Sequence, residues 1–260
     1  MFRRNSQRLF GYEQTDQRLR ASLVAHYIGG GSGSSWIDRS GYGNHGVMSG
    51  NTGWRLGREN LRNAVYWIAA GNGSLNLGTD LSIKPASAIS ASMWIYPFSN
   101  NAILGSVLLS AEKVAGASDA YQVYWTTGNV IRLAIDGSSV STSQTIPLME
   151  WTHLSFTFDG STVKIYFNGV EVASGSLSAT LTYSSAPVLL GSNANLSFLG
   201  YYYDGIMDDV RIYNRGLSAA EVALLASPSF KPVVAMNRRL AKLSSTVVTY
   251  THRLSLLGVG

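Results

Sequence analysis

The chain contains no cysteine and only six prolines in 260 residues. Without thiols it has no disulfide framework and no Cys-ligated zinc or iron–sulfur centre. Charge is scarce as well. Asp, Glu, Lys and Arg together make up 13% of the sequence, about half of the ~25% usual for soluble domains. A coiled coil and an acidic disordered tail are thereby excluded. No stretch approaches the ~20 consecutive apolar residues that carry a helix across a bilayer, so membrane insertion is not expected. Arg3 and Arg4 resemble the charged start of an export signal, but Asn5, Ser6, Gln7 and Arg8 stand where its apolar run is required. Export by an ordinary signal is therefore not expected.

What is abundant points elsewhere. There are 27 glycines, 14 tyrosines, eight phenylalanines and six tryptophans, and 45% of the residues are hydrophobic. A low-charge surface rich in Ser, Thr, Asn, Gly and Tyr suits β-sheets, and single all-β domains of this size are common. The charge is unevenly placed. Residues 1–20 hold five arginines against two acids, and residues 227–260 hold five basic residues and no acid. The body over 21–226 is mildly acidic, with ten basic and 13 acidic residues. Positive ends on an acidic body favour an acidic protein surface, nucleic acid or a membrane as partner.

Period-two alternation dominates the middle. Leu154, Phe156 and Phe158 fall on one face of a strand and His153, Ser155 and Thr157 on the other. Past Asp159-Gly160, Val163, Ile165 and Phe167 alternate with Lys164 and Tyr166, and Asn168-Gly169 turns the chain into Val170-Glu-Val-Ala. Asn-Gly between alternating runs is a strong hairpin signal. Further strands are expected near 23–28, 64–69, 89–97, 103–113, 121–127, 130–136, 188–191 and 203–213. The pattern predicts an all-β, antiparallel two-sheet sandwich. One helix is expected over 218–226, opened by Ser218-Ala-Ala-Glu221, a capping box in which hydroxyl and carboxylate satisfy free amides of the first turn.

Gly41-Tyr-Gly43-Asn-His-Gly46 matches the glycine spacing of a dinucleotide loop. That fingerprint needs a following helix to meet the pyrophosphate, and Val47 through Gly53, with two more glycines, cannot supply one. A glycine-built turn is the better reading. The acids are scattered, with no E-x-D-x-x-E strand to place a nucleophile and an acid on one face, and no G-x-S-x-G, H-E-x-x-H or P-loop occurs. His26, His45, His153 and His252 are far apart, and a lone strand histidine such as His153 reads as structural. An enzyme is not expected.

The glycine turn also belongs to a wider pattern. Leu23-Val-Ala-His-Tyr27 with Asp38-Arg-Ser-Gly-Tyr-Gly-Asn44, Ile89 through Pro97, Trp151 through Gly169, and Phe198 through Arg215 follow one another in order, closed by the helix at 218–226. In that order they resemble the laminin G-like domains of the concanavalin A-like lectin/glucanase jelly-roll superfamily, over residues 21–226. The resemblance implies a jelly roll without intrinsic chemistry. It implies a structural calcium at Asp38, Asn44 and Asp208 or Asp209, oxygen donors that suit a hard cation. The alternative is that Asp38 caps its own turn while Asp208 and Asp209 pair with Arg211 or Arg215. It further implies glycan binding through aromatic faces, for which Tyr42, Trp125, Tyr201, Tyr202 and Tyr203 are the candidates; the competing reading puts such aromatics in the core.

Arg3, Arg4, Arg8, Arg238, Arg239 and Lys242 could meet nucleic-acid phosphate. The folded body carries no basic stripe, however, and residues 243–260 are apolar and β-prone, which favours assembly with neighbouring subunits over nucleic acid. A fold that usually works outside cells, without an export signal and with basic extensions, fits a bacteriophage virion protein. In that reading it is a capsid decoration or fibre-like subunit, homo-oligomeric or bound to other virion subunits, that displays a lectin-like jelly roll towards cell-surface glycan. A free carbohydrate-binding module of a bacterial surface or secreted protein and a glycoside hydrolase are the rivals.

Overall fold

A computed structural model describes residues 15–31, 33–60, 62–68, 72–100, 105–114, 118–177, 179–193 and 201–228. In chain order the strands are β1 (Leu23–Tyr27), β2 (Ser35–Trp36), β3 (Gly46–Ser49), β4 (Thr52–Leu56), β5 (Asn63–Trp67), β6 (Ser74–Asn76), β7 (Ile89–Pro97), β8 (Ser106–Val114), β9 (Ser118–Trp125), β10 (Val130–Ile135), β11 (Ser138–Thr145), β12 (Thr152–Phe158), β13 (Thr162–Phe167), β14 (Val170–Ser176), β15 (Leu189–Leu190) and β16 (Gly205–Tyr213). They form two antiparallel sheets. The front sheet runs β14-β13-β12-β7-β16-β5-β4, with β1 also on β16, and the back sheet runs β11-β10-β9-β8-β15-β6-β3-β2. The protein is a two-sheet sandwich, as the alternation predicts, of the jelly-roll form that the resemblance implies.

Alternation decides which residues enter the space between the sheets. Ile89, Ala91, Met93 and Ile95 of β7, Leu154, Phe156 and Phe158 of β12, and Val163, Ile165 and Phe167 of β13 meet Tyr121, Val123 and Trp125 of β9 and Ile131, Leu133 and Ile135 of β10. The turn between β13 and β14 places Asn168 at φ 50° and Gly169 at φ 82°, the paired left-handed conformation for which Asn-Gly is suited.

Two helices lie on the outer face of the front sheet. Helix α2 (Ala219–Ala226) starts on the predicted capping box: Ser218 Oγ accepts from the Glu221 amide, and Glu221 Oε2 accepts from the Ser218 amide at 2.8 Å. The other helix, α1, covers residues 15–22, which have no helical periodicity in sequence, so the folded body starts before the expected boundary at residue 21. Its single buried apolar residue, Leu19, joins Leu217, Val222 and Leu225 over Tyr166 and Tyr213 of the sheet. Burying each such aliphatic side chain contributes about 1.5–3 kcal/mol. The helices therefore roof one end of this face and leave the other end open.

Candidate functional site

The outer face of the front sheet is organised in rows, because antiparallel register brings outward residues side by side. Ile206 of β16 stands between Tyr66 of β5 and Tyr96 of β7, and Trp151, just ahead of β12, lies against Tyr96 with ring centroids 5.4 Å apart. In the next row Asp208 faces Trp94, and Trp94 faces His153. Beyond it Arg211 faces Ser92, and Ser92 faces Ser155. The last row, with Tyr213 beside Ser90, passes beneath the helices.

The first row opens into a cleft of about 570 Å³, within the ~300–1,000 Å³ typical of small-molecule sites. Tyr96 and Trp151 supply its aromatic floor, with Phe98 set nearly perpendicular to Tyr96 at 6.0 Å. Leu56, Gly57 and Asn60 of the β4–β5 hairpin form one wall, together with Arg55, and Met149 forms the opposite rim. Leu56 and Met149 are more than half exposed, at 55% and 57%. Met149 also sits at φ 59°, a left-handed conformation that an unbranched L side chain rarely adopts, held by its amide donating to the Pro97 carbonyl at 2.8 Å. Strain of this kind, kept at the lip of an open aromatic cleft, is what ligand-gripping loops show. Two arginines lie over rings of this face: Arg55, in the cleft wall, over Phe98 at 5.5 Å, and Arg58, outside the cleft lining, over Trp94 with its Cζ 4.1 Å from the ring centroid.

Behind the cleft lies a buried polar network. A register shift in β16 between Asp208 and Arg211 leaves Asp209 as an extra residue, at φ 47°. Its carboxylate accepts from Arg211 Nε at 2.7 Å and Nη2 at 2.9 Å, and Oδ1 also lies 2.9 Å from His26 Nε2. Burial pushes the Asp209 carboxyl up, but Arg211 and the His26 bond outweigh it and hold the group well below the ordinary range. An ionised carboxylate only accepts, so His26 Nε2 carries the hydrogen. Burial, with Arg211 adding, depresses the His26 imidazole despite Asp209, and that ring is neutral. Asp208 has a different setting: it accepts from the amides of Arg58 and Asp209, and burial raises its carboxyl to about 6. Gly57 makes this approach possible, since a Cβ there would lie 2.3 Å from Asp208 Oδ2. His153 bonds Ser92 Oγ through Nε2 at 3.1 Å, and burial drives its imidazole down to about 3, in keeping with the structural role expected for it.

The candidate metal ligands are spent on these networks. A carboxylate offers about four lone-pair sites. Asp38 fills them with the His26 amide at 2.9 Å, the Ser40 amide at 2.8 Å, Ser40 Oγ at 2.8 Å and the Asn44 amide at 3.0 Å. Asn44 turns its side-chain amide inward, donating through Nδ2 to the Val24 carbonyl and Ser82 Oγ, while its backbone carbonyl accepts from the Tyr27 hydroxyl. Asp209 is committed to Arg211 and His26, and among the described residues no cluster of metal-binding side chains forms. The lone pairs of Asp38 and Asp209 are taken, so this donor set does not fit the calcium that the resemblance implies; Asp38 caps its turn and Asp209 pairs with Arg211, as in the alternative, whereas Asp208 accepts from the Arg58 and Asp209 amides and not from a guanidinium.

The candidate glycan aromatics are also redistributed. Trp125 and Tyr203 are fully buried, so their place is the core: Trp125 points between the sheets, and Tyr203 packs edge-on against Trp67 at 5.9 Å. Tyr202 is buried too, Tyr201 is half-buried, and Tyr42 alone of the five is well exposed, at 51%. None of the five lines the cleft. Its aromatics, Tyr96, Phe98 and Trp151, went unread as a site although the signal was present: in Met93-Trp-Ile-Tyr96 the large aromatics occupy the outward phase, where a polar residue is the norm. Arg3, Arg4, Arg8, Arg238, Arg239 and Lys242 lie outside the described residues.

Fold and cleft together define a lectin-like jelly roll. Residues 68–223 match the laminin G family described as the concanavalin A-like lectin/glucanases superfamily, and the chain belongs to that family. A search of curated proteins gives no match. Among solved structures, domain 4 of the extracellular arabinanase AbnA of Geobacillus stearothermophilus, solved with arabinotriose, superimposes with a TM-score of 0.63 at 22% identity, covering 79% of this chain and 98% of that domain. The binding domain of Paraclostridial Mosquitocidal Protein 1 gives 0.62 at 22% identity, covering 80% of this chain and 52% of that one. The botulinum neurotoxin serotype G binding domain gives 0.59 at 18% identity, covering 78% and 50%. At these identities the likeness is one of fold.

Proposed function

We propose that this domain is a non-catalytic carbohydrate-binding jelly roll whose ligand stacks in the cleft at the open end of the front sheet. The observation that carries the reading is the juxtaposition of Tyr96 and Trp151, outward aromatics 5.4 Å apart on a concave floor. Sugar rings present apolar faces to such rings while their hydroxyls seek amide and guanidinium partners, here Asn60 and Arg55. Hydrolysis would need two carboxyl groups disposed about one bond, roughly 5–9.5 Å apart. Asp209 is locked in its ion pair and Asp208 lies beneath Gly57, while the described lining of the cleft contributes neither Asp nor Glu. The arabinotriose complex of AbnA domain 4 supports the same reading by analogy of fold.

The test is a glycan array probed with the full chain and with Trp151→Ala and Tyr96→Ala. Signal above background that each substitution reduces at least tenfold, without reducing-sugar release from the bound glycan, is the expected result. Binding that survives both substitutions, or turnover, overturns the proposal.

The setting proposed for the domain is a virion structural subunit of a bacteriophage. Its support is the charge plan of the sequence, five basic residues and no acid over 227–260 against an acidic body, which suits anchoring to an acidic neighbour.

A further inference from the structure

The lining of the cleft has a definite electrostatic sign. Arg55 is its one charged residue among those described, and no acid balances it there. Arg58, on the same hairpin, has Glu59 at 3.5 Å, and Arg211 and Arg215 each hold a carboxylate. Among the described residues the Arg55 guanidinium, by contrast, has the Phe98 ring face as its contact, with Cζ 5.5 Å from the centroid. That ring stands 6.0 Å from Tyr96, which is 5.4 Å from Trp151. A cation is thus held one ring away from the stacking floor, with the planar donor fork of guanidinium still available. Such a fork matches a carboxylate or sulfate in a paired geometry that a hydroxyl cannot reproduce. Arg55 is exposed and hydrated when the cleft is empty, and a neutral sugar would offer it hydroxyls where an anion would offer a charged, paired acceptor.

Resting on the carbohydrate reading above, we propose that the ligand is an acidic saccharide, a ring stacked on Tyr96 and Trp151 whose carboxylate or sulfate ester pairs with Arg55. Asn60, at the tip of the hairpin and on the same wall, is placed to serve the neighbouring hydroxyls. The recognised feature is the anion on the sugar, and it can be a uronic acid or a sulfated neutral sugar.

The experiment is calorimetric titration of the full chain with galactotriose, trigalacturonate and a sulfated galactotriose. Wild type is compared with Arg55→Gln, Arg62→Gln and Trp151→Ala. Arg62 lies on the same hairpin outside the cleft lining and controls for general attraction of anions to a basic chain. The expected result is binding of at least one acidic trisaccharide at least tenfold tighter than galactotriose, lost with Arg55→Gln or Trp151→Ala and kept with Arg62→Gln. The trigalacturonate and sulfate arms then separate the two sources of the anion. Equal affinity for neutral and acidic trisaccharides, abolished by Trp151→Ala and untouched by Arg55→Gln, overturns the acidic ligand and leaves the carbohydrate site standing. An acid preference that Arg55→Gln and Arg62→Gln weaken alike also overturns it, as charge attraction without a site. Absence of binding to all three, or binding indifferent to Trp151→Ala, overturns both.

Discussion

Asp209 shows how much one residue can depend on its partners. Its carboxylate and the Arg211 guanidinium are both buried, and neither would be tolerated there alone. Asp209→Ala removes the carboxylate that neutralises the buried Arg211 guanidinium, so thermal unfolding at pH 7 is expected to show a loss of about 3–5 kcal/mol. The sign with pH follows from the depressed carboxyl. A group held below its unfolded value of ~3.9 stabilises fully above that value and loses its contribution as pH falls further. The gap between wild type and Asp209→Ala should therefore narrow below about pH 4. A constant gap down to pH 2 would show that the pair acts by packing alone. The same pairing explains why Asp209 is a poor metal ligand: its lone pairs are taken by Arg211 and His26.

At the scale of elements, the helices are held by what they cover. In α2, Val222 and Leu225 are buried against Tyr166 and Tyr213, and the capping box organises the first turn. Removing a cap costs about 1 kcal/mol, whereas truncating a buried leucine costs roughly 2–5. Ser218→Ala should accordingly lower stability far less than Leu225→Ala in urea unfolding. Equal losses would mean that the cap, and not the contact with the sheet, keeps α2 in place. The helix was readable because its cap is a local signal. Residues 15–22 gave none, since Leu19 is their lone buried hydrophobic and the buried residues it joins are more than 100 positions away.

For the whole molecule, the proposed virion setting assigns folding to the acidic sandwich and attachment to the basic end segments. Leu19 of α1 packs on the sandwich, so in the proposed virion setting the basic residues assigned to attachment all lie outside the described 15–228. Deleting residues 229–260 should leave the unfolding midpoint within a few degrees of the full chain while abolishing co-sedimentation with the particle from the native source. A truncated chain that still enters the particle would remove the anchoring role given to these residues, and a full chain that never co-sediments with a particle would remove the virion setting. Among the described residues no helix is long and apolar enough to cross a membrane.

Period-two alternation, Asn-Gly and Asp-Gly turns and a capping box are local, and they determined the sandwich, the inward residues of β7, β12 and β13, and helix α2. They say which side of a strand a residue takes, but not what lies beside or above it. Tyr166 and Tyr96 both hold the outward phase, yet Tyr166 is covered by helices and Tyr96 floors an open cleft. Trp125 and Tyr203 were offered as ligand platforms because aromatic character alone does not distinguish a sugar's face from a neighbour's. Only the tertiary structure decided these cases. Register brings Trp151 against Tyr96 from 55 positions away, and coverage by distant chain settles which outward aromatics stay free to meet a ligand.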